Sequence, residues 1–292
     1  MSESETEIEL VIDARAVIGE SPLWTEGQSE LYWVDIKAPA LYRTKIPTLE
    51  TTSWSLPSDI GGYALTSGGA IVALRNGIFA LDFSSGELAK LCDPPFDPRI
   101  HRFNEVDCDP SGRLWLGTMF DPEPPADAAP VKGHLYSFTS AGGLIEQNDR
   151  SLLHNGFAWS RDGEFFIAHS DEGRIYAHEF NVQQGKLGRK RVFAEISKEL
   201  GIPDGGAFDT DGGYWSAIHR GACLHRYTPD GRLDRVVELP IQNPTMMAFG
   251  GPDLRDLYVT SATHGKPGKP YEGGIFRVRA GFAGRARPSH VR

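Results

Sequence analysis

The chain has 292 residues, of which 40% are hydrophobic and 24% are charged, and its 30 basic and 39 acidic residues give a net charge of −9. These proportions are typical of a folded globular protein and exclude a disordered or collagen-like chain. No apolar run reaches the roughly 18 residues that a membrane-spanning helix needs, and the acidic balance disfavours nucleic acid or an anionic membrane as a partner.

Short segments rich in Val, Ile, Tyr, Phe and Trp recur along the chain, each bounded by Gly, Asp, Ser or Pro. In chain order, the clearest are 31–36, 70–74, 113–119, 164–170, 213–219 and 256–262. Such composition and length predict β-strands. Only the segment 193–200 favours a helix, and it predicts one or two turns in a connection.

Asp-Gly turns precede several of these strands, at 109–112, 161–163 and 209–212, and a Gly-bounded hairpin follows each strand. The resulting unit has about four strands and a period of roughly 40–50 residues, which is typical of a β-propeller. The six units lie near 15–50, 58–90, 102–142, 155–190, 204–237 and 245–280. We therefore predict an all-β fold, a six-bladed β-propeller with four-stranded antiparallel blades around a central channel, as a single domain over residues 1–292.

Two other features complete this prediction of the fold. The Pro-rich segment 121–132 (DPEPPADAAPVK) cannot form a strand and is expected to be a loop, either a lid or an inert connection. Four tryptophans at strand positions are expected to pack between blades rather than to stack on a sugar: Trp24, Trp33, Trp115 and Trp215.

Polar residues just before the first strand of a unit recur in phase with the repeat. They are Glu20, Arg102, Asn104, Asn155 and Asp204. Because equivalent points of successive blades meet at the channel, residues far apart in the sequence are expected to share one site there. Each of them also has a structural explanation: Glu20 as a surface turn acid, the Asn155-Gly156 and Asp204-Gly205 pairs as hairpin turns, and Arg102 as the partner of a neighbouring acid.

The carboxylates of Glu20 and Asp204 and the amide oxygen of Asn155 are hard oxygen ligands. They suit Ca²⁺, Mg²⁺ or Mn²⁺ better than a structural Zn²⁺, and two carboxylates meeting without a cation would repel each other. By contrast, His154, His169 and His219 are expected to be solvated or packed rather than to face the channel.

The three cysteines, an odd number without a CxxC pair, suggest reduced thiols, and the acidic N-terminal segment lacks the apolar stretch of a secretory signal. We therefore expect a cytoplasmic protein.

The sequence resembles the SMP-30/gluconolactonase/regucalcin family of six-bladed propellers along nearly its whole length. The motifs that carry the resemblance are GESPLW at 19–24, LYWVDI at 31–36, RFNEVDCDPSGRLWLGTM at 102–119, NGFAWSRDG at 155–163, IPDGGAFDTDGGYW at 202–215, FGGPDLRDLYVTSA at 249–262 and GGIFRVRAG at 273–281.

This resemblance implies one divalent metal held by Glu20, Asn155 and Asp204, with Arg102 and Asn104 binding the substrate. Calcium is the first choice of metal, with Zn²⁺, Mg²⁺, Mn²⁺ or Fe²⁺ as alternatives. The implied activity is a lactonase that hydrolyses a sugar-acid (aldono-) lactone, a small-molecule substrate of carbohydrate catabolism, to the open-chain acid. Asp204 would then be both a ligand and the general base, a catalytic role that remains a hypothesis.

The chain departs from the family pattern at the substrate contacts. Glu105 replaces a frequent Asp after Asn104, and His169 replaces a frequent Asp before Ser170. The family acid that follows the GTM run has two candidates, Asp121 and Glu123. Two other functions stay open: an organophosphate or phosphoester hydrolase using the same metal channel, and a non-enzymatic calcium-binding propeller.

Overall fold

The computed structural model describes residues 6–25, 27–125, 129–266, 270–279, 281–285 and 287. Their secondary structure consists of 24 β-strands in six four-stranded antiparallel sheets. These sheets are the blades of a six-bladed β-propeller, which confirms the predicted fold class. The described residues form no helix, and therefore none that could span a membrane.

The described chain divides into two compact units, the first comprising residues 6–53 with 196–287 and the second comprising 54–195. The single domain expected over residues 1–292 stays a prediction.

The first unit holds three sheets, apart from the last two residues of β5. The first sheet is β2 (Gly19–Thr25), β3 (Glu30–Asp35), β4 (Ala40–Lys45) and β5 (Glu50–Ser55). The second is β18 (Ile202–Phe208), β19 (Tyr214–His219), β20 (Cys223–Tyr227) and β21 (Leu233–Glu238). The third is β22 (Pro244–Gly250), β23 (Asp256–Ser261) and β24 (Ile275–Arg279), completed by β1 (Glu7–Ile12).

The second unit also holds three sheets. They are β6 (Ile60–Leu65), β7 (Gly69–Leu74), β8 (Gly77–Asp82) and β9 (Leu88–Cys92); β10 (His101–Cys108), β11 (Leu114–Phe120), β12 (Gly133–Thr139) and β13 (Gly143–Ser151); and β14 (His154–Trp159), β15 (Glu164–His169), β16 (Arg174–Asn181) and β17 (Lys186–Glu195).

Burial falls from the first to the last strand of each sheet. Every residue of the first strand β22 is buried, whereas all but one of the residues of β21, the last strand of another sheet, are exposed. In the second unit β10 packs against β6 and β14, and in the first unit β22 packs against β2 and β18. The core lies between neighbouring sheets, and the expected packing of tryptophans there is confirmed: Trp115 is fully buried beside Phe157, and Trp24 stacks on Tyr258 with ring centroids 5.2 Å apart.

Two predicted elements are wrong. The segment 193–200 is not helical, because its first three residues continue β17, where Ala194 pairs with Ile175 of β16, and a turn follows. The sixth repeat is not completed within 245–280, because its fourth strand is β1, which pairs with β24 in the register Ile8↔Val278. The predicted loop 121–132 contains no strand in its described part, and residues 126–128 lie outside the described residues.

Candidate functional site

A β-bulge interrupts the first strand of every sheet at the same point. The register with the second strand shifts between Glu20 and Leu23, Ile60 and Gly62, Phe103 and Val106, Asn155 and Ala158, Pro203 and Gly206, and Pro244 and Met247. A bulge breaks the pairing of the ladder and redirects the side chains beside it, and such bulges are common next to binding sites.

The predicted site residues sit at these bulges. Glu20 and Asn155 are the last paired residues before the bulges of β2 and β14, whereas Asp204 and Asn104 are the first residues inside the bulges of β18 and β10. Arg102 comes two residues before the bulge of β10 and is followed by Phe103, the last paired residue there. The common position of these polar residues in the sequence repeat therefore corresponds to a shared backbone feature, the β-bulge of each first strand.

In the second unit, a chain of hydrogen bonds joins β10 to β14. The Arg102 Nη1 donates to Asn104 Oδ1 at 2.8 Å, and Asn104 Nδ2 donates to Asn155 Oδ1 at 2.5 Å. The Asn155 Nδ2 in turn donates to Ser170 Oγ at 2.9 Å. Because the amide nitrogen of Asn155 donates to Ser170, its amide oxygen is the atom that faces Asn104. The structure thus brings three predicted residues together, and it adds Ser170, which sequence analysis had not placed in the site.

The Arg102 guanidinium is buried and forms an ion pair, which was the structural alternative for this residue. Its Nε donates to Asp121 Oδ2 at 2.9 Å, and Arg75 Nη2 donates to the same oxygen at 2.5 Å. Arg75 also pairs with Glu123 at 3.4 Å. Of the two acids after the GTM run, Asp121 is therefore the one that holds Arg102.

Glu105 acts on the neighbouring blade. Its Oε1 accepts the backbone N–H of Phe157 at 2.8 Å, and its side chain is buried. Phe157 lies inside the bulge of β14, two residues after Asn155. A carboxylate at position 105 thus stabilises the irregular backbone beside Asn155, a role that a single sequence does not reveal.

In the first unit, Glu20 and Asp204 are both buried carboxylates, each 9% exposed. The Glu20 Oε2 accepts the N–H of Ser21 at 2.7 Å, and Ser21 has a left-handed backbone with φ of 50°. The Asp204 Oδ2 lies 3.6 Å from His219 Nδ1. Buried carboxylates are costly unless hydrogen bonds or a cation balance them.

His219 extends this part of the site. Its Nδ1 lies 3.2 Å from the Pro244 carbonyl and its Nε2 lies 2.9 Å from His264 Nε2. Burial, together with the neighbouring His264, lowers the pKa of His219 to about 4. The imidazole is therefore neutral at physiological pH, and it is packed rather than solvated.

The other two flagged histidines are also buried, and they meet at a residue that sequence analysis missed. His154 and His169 both contact Asp149, which is buried on β13. Although burial opposes it, hydrogen bonds from the imidazoles hold the pKa of Asp149 well below its usual range. Burial also lowers the pKa of His154. No spacing or motif marks Asp149, since the contact joins three different strands.

The fold and the bulges define a six-bladed β-propeller with carboxylate, amide and guanidinium groups on buried first strands. A family model described as the SMP-30/Gluconolactonase/LRE-like region matches residues 18–263, and the chain belongs to this family. It is 34% identical over 290 residues to a 6-deoxy-6-sulfogluconolactonase of Pseudomonas putida, covering 96% of this chain and 97% of that protein.

Two further proteins are similar over almost their whole lengths. Regucalcin of Xenopus laevis is 32% identical over 283 residues, covering 94% of this chain and 95% of that protein. The crystal structure of a calcium-binding protein, a regucalcin of Agrobacterium tumefaciens, superimposes with a TM-score of 0.88 at 24% identity, covering 97% of this chain and 96% of that one. The latter likeness is one of fold.

Proposed function

We propose that the protein is a lactonase that hydrolyses a sugar-acid lactone, an aldono-lactone, to the open-chain acid. Its membership of the gluconolactonase family and its 34% identity to a sulfogluconolactonase support this activity. The observation that carries the proposal is the placement of Glu20, Asn155 and Asp204 at the bulges of three buried first strands.

We propose Glu20, Asn155 and Asp204 as the residues that hold one divalent cation, with Ca²⁺ as the first choice. The donor set fits such an ion, because two buried carboxylates and an amide oxygen are hard ligands and the negative charges need compensation. When bound, the cation would supply Lewis-acid polarisation of the lactone carbonyl.

Asp204 is assigned the general base, which takes a proton from the water that attacks the lactone carbonyl. Proton transfer by a positioned side chain contributes about 10²–10⁴-fold to a rate. Asn104 offers an amide to the ring hydroxyls, and Arg102 supports it through the hydrogen bond to its Oδ1 while adding positive charge near the developing oxyanion. The substrate is thus a small polar molecule.

A cytoplasmic location fits the cysteines. All three are free thiols, Cys108 and Cys223 are buried, and burial raises the pKa of Cys223 to about 11. Unreactive, unpaired thiols are typical of a reducing compartment.

The test is hydrolysis of a panel of aldono-lactones followed by pH-stat, with and without prior removal of metal by a chelator. We expect Asp204→Asn and Glu20→Gln to lower turnover by about 10²–10⁴-fold while the circular dichroism spectrum is retained. Asp230→Asn, an exposed acid in the turn after β20, is the matched control and should keep full activity. Chelation should remove activity, and added divalent metal should restore it.

Near-normal turnover by either site variant would contradict the assignment. An aryl phosphoester included in the panel separates the phosphoesterase alternative, and bound metal without hydrolysis of any substrate would instead support the non-enzymatic calcium-binding propeller.

A further inference from the structure

A second group of metal-ligating side chains lies in the second unit, within the sheets β10–β13 and β14–β17. Asp149 Oδ1 is 2.6 Å from His169 Nε2 and 3.3 Å from His154 Nε2. One ligand atom from each of the three residues lies within 4.8 Å of the other two, and all three residues are buried. Two imidazole nitrogens and a carboxylate oxygen thus converge on one small volume.

Both imidazoles present the same nitrogen to the carboxylate, and that of His154 is also oriented as a metal ligand usually is. Each presents Nε2 to Asp149, and His154 has its other nitrogen, Nδ1, 3.0 Å from the Thr118 carbonyl oxygen and 3.2 Å from the Thr118 backbone nitrogen. The Nδ1 of His169 lies 3.7 Å from a Glu172 carboxylate oxygen, which is beyond hydrogen-bond distance, and it makes no hydrogen bond to the described residues. A ligating histidine typically faces a carbonyl or carboxylate with its second nitrogen, which fixes the tautomer and leaves the first nitrogen free to bind.

The second oxygen of the Asp149 carboxylate is also held. His178 Nε2 lies 3.2 Å from Asp149 Oδ2, and His178 is buried. This contact fixes the carboxylate plane and leaves Oδ1 facing His154 and His169. His178 therefore supports the three ligands without being one of them.

A cation already lies beside these ligands. The Lys190 ammonium is 2.6 Å from Asp149 Oδ2 and 3.3 Å from His169 Nε2, and it lies over the Tyr176 ring at 4.0 Å. The 2.6 Å approach of His169 Nε2 to a carboxylate oxygen is favourable only with a proton or cation between or beside them. The Lys190 side chain comes from the largely exposed strand β17 and is 32% exposed, so its ammonium can turn outward into water when another cation takes over the charge of Asp149.

We propose that Asp149, His154 and His169 form a binding site for a borderline divalent transition cation of the Zn²⁺ class, which displaces the Lys190 ammonium. The N₂O ligand set favours such an ion over Ca²⁺, for which the oxygen ligands of the proposed active site are suited. Three protein ligands leave a fourth coordination position open at the place that Lys190 vacates. The affinity of this site is therefore set by competition with a tethered lysine.

The probe is Co²⁺ titrated into the metal-free full-length protein, followed by visible absorption, with Zn²⁺ used to displace it. A four-coordinate nitrogen-containing site gives intense absorption, whereas an oxygen-rich six-coordinate site gives only a weak band. We expect one equivalent of intensely absorbing Co²⁺, released by one equivalent of Zn²⁺. His169→Ala should weaken binding at least about 100-fold. Lys190→Met, which removes the competing charge and keeps every ligand, should strengthen it about tenfold.

His225→Ala is the matched control, because His225 is also buried and lies in the first unit against Tyr227. It should leave the Co²⁺ spectrum unchanged. Only weak six-coordinate absorption, equal affinity in His169→Ala, or no gain in Lys190→Met would overturn the proposal. The Lys190 variant keeps the test decisive if His169→Ala fails to fold, and because neither variant alters Glu20, Asn155 or Asp204, the result is independent of the lactonase assignment.

Discussion

At the scale of single residues, Arg102 forms the ion pair that was its structural alternative, and its part in substrate binding is a proposal. Its four described contacts go to Asp121, Asn104, the Phe103 carbonyl and the Met119 sulfur, and they use four of its five N–H groups. Because only one N–H group is left for a further contact, the Arg102 guanidinium acts mainly by orienting Asn104 and by carrying positive charge. Its proposed contribution to substrate binding depends on the planar, forked arrangement of its N–H groups, which a lysine ammonium lacks.

Arg102→Lys tests this role. The lysine can keep the ion pair with Asp121 but lacks the planar fork with which Arg102 reaches both Asp121 and Asn104 Oδ1, so the amide oxygen loses its aligned donor. A lost hydrogen bond to a charged group is worth about 1.5–3 kcal/mol, and we expect kcat/KM for the lactone to fall by about 10–100-fold. Arg189→Lys, an exposed substitution on β17, should leave steady-state kinetics unchanged. Unaltered kcat/KM in Arg102→Lys would mean that the fork has no part in binding.

Most members of the candidate site could be predicted from the sequence, because each falls at the same phase of a repeat. Glu20, Asn155 and Asp204 precede similar turns, and that pattern is local. Asp121 and Ser170 could not be assigned in the same way. Asp121 was one of two candidate acids after the GTM run, and the ion pair with Arg102 distinguishes it from Glu123, since Arg75 pairs with both.

At the scale of elements, two sheets use the same device to hold their first turn. Asp109 accepts the indole N–H of Trp115 at 3.1 Å, and Asp209 accepts that of Trp215 at 2.9 Å. In both cases the other carboxylate oxygen accepts backbone N–H groups of the Asp-Gly turn. The spacing of six residues from Asp to Trp is thus a structural signature that ties a turn to the core between sheets.

Asp209→Ala is expected to lower the free energy of unfolding by about 3–5 kcal/mol. The substitution leaves the Trp215 N–H without its acceptor and weakens the pairing of the buried Arg226 guanidinium, which donates to Asp209 at 2.7 Å. Urea denaturation followed by tryptophan fluorescence measures the change. Asp230→Ala, in an exposed turn, should stay within about 0.5 kcal/mol of the parent. A comparable loss of stability in the two variants would refute a specific role for the hydrogen bonds that Asp209 accepts.

At the scale of the whole molecule, the two ends of the described chain meet in one sheet. β1 pairs with β24 over Glu7↔Arg279 to Leu10↔Phe276, with a further pair after a bulge. The ion pair between Arg277 and Glu9 lies across this junction at 2.5 Å, and Ile8 and Leu10 pack on the core of the first unit. The sheet that contains β22, β23 and β24 is therefore complete only when β1 has paired with β24.

Deleting residues 1–12 should destabilise the first unit. The deletion exposes β24 as an unpaired edge and removes several partly buried aliphatic side chains, each worth about 1 kcal/mol. At about 2–4 °C per kcal/mol for a chain of this size, we expect Tm to fall by roughly 10 °C in differential scanning calorimetry. Deletion of residues 2–5, which leaves β1 intact, is the control and should preserve Tm. An unchanged Tm after the longer deletion would show that β1 contributes little.

The sequence by itself determined the six repeats, the strand type and the polar residues at the first strand of each unit, because alternation, Asp-Gly turns and repeat phase are local properties of the chain. The tertiary structure decided that β1 joins β24, that 193–195 extends β17, and that Asp149 meets His154 and His169. Each of these depends on strand pairing or side-chain packing between segments that no periodicity links, so the contact exists only once the sheets have formed.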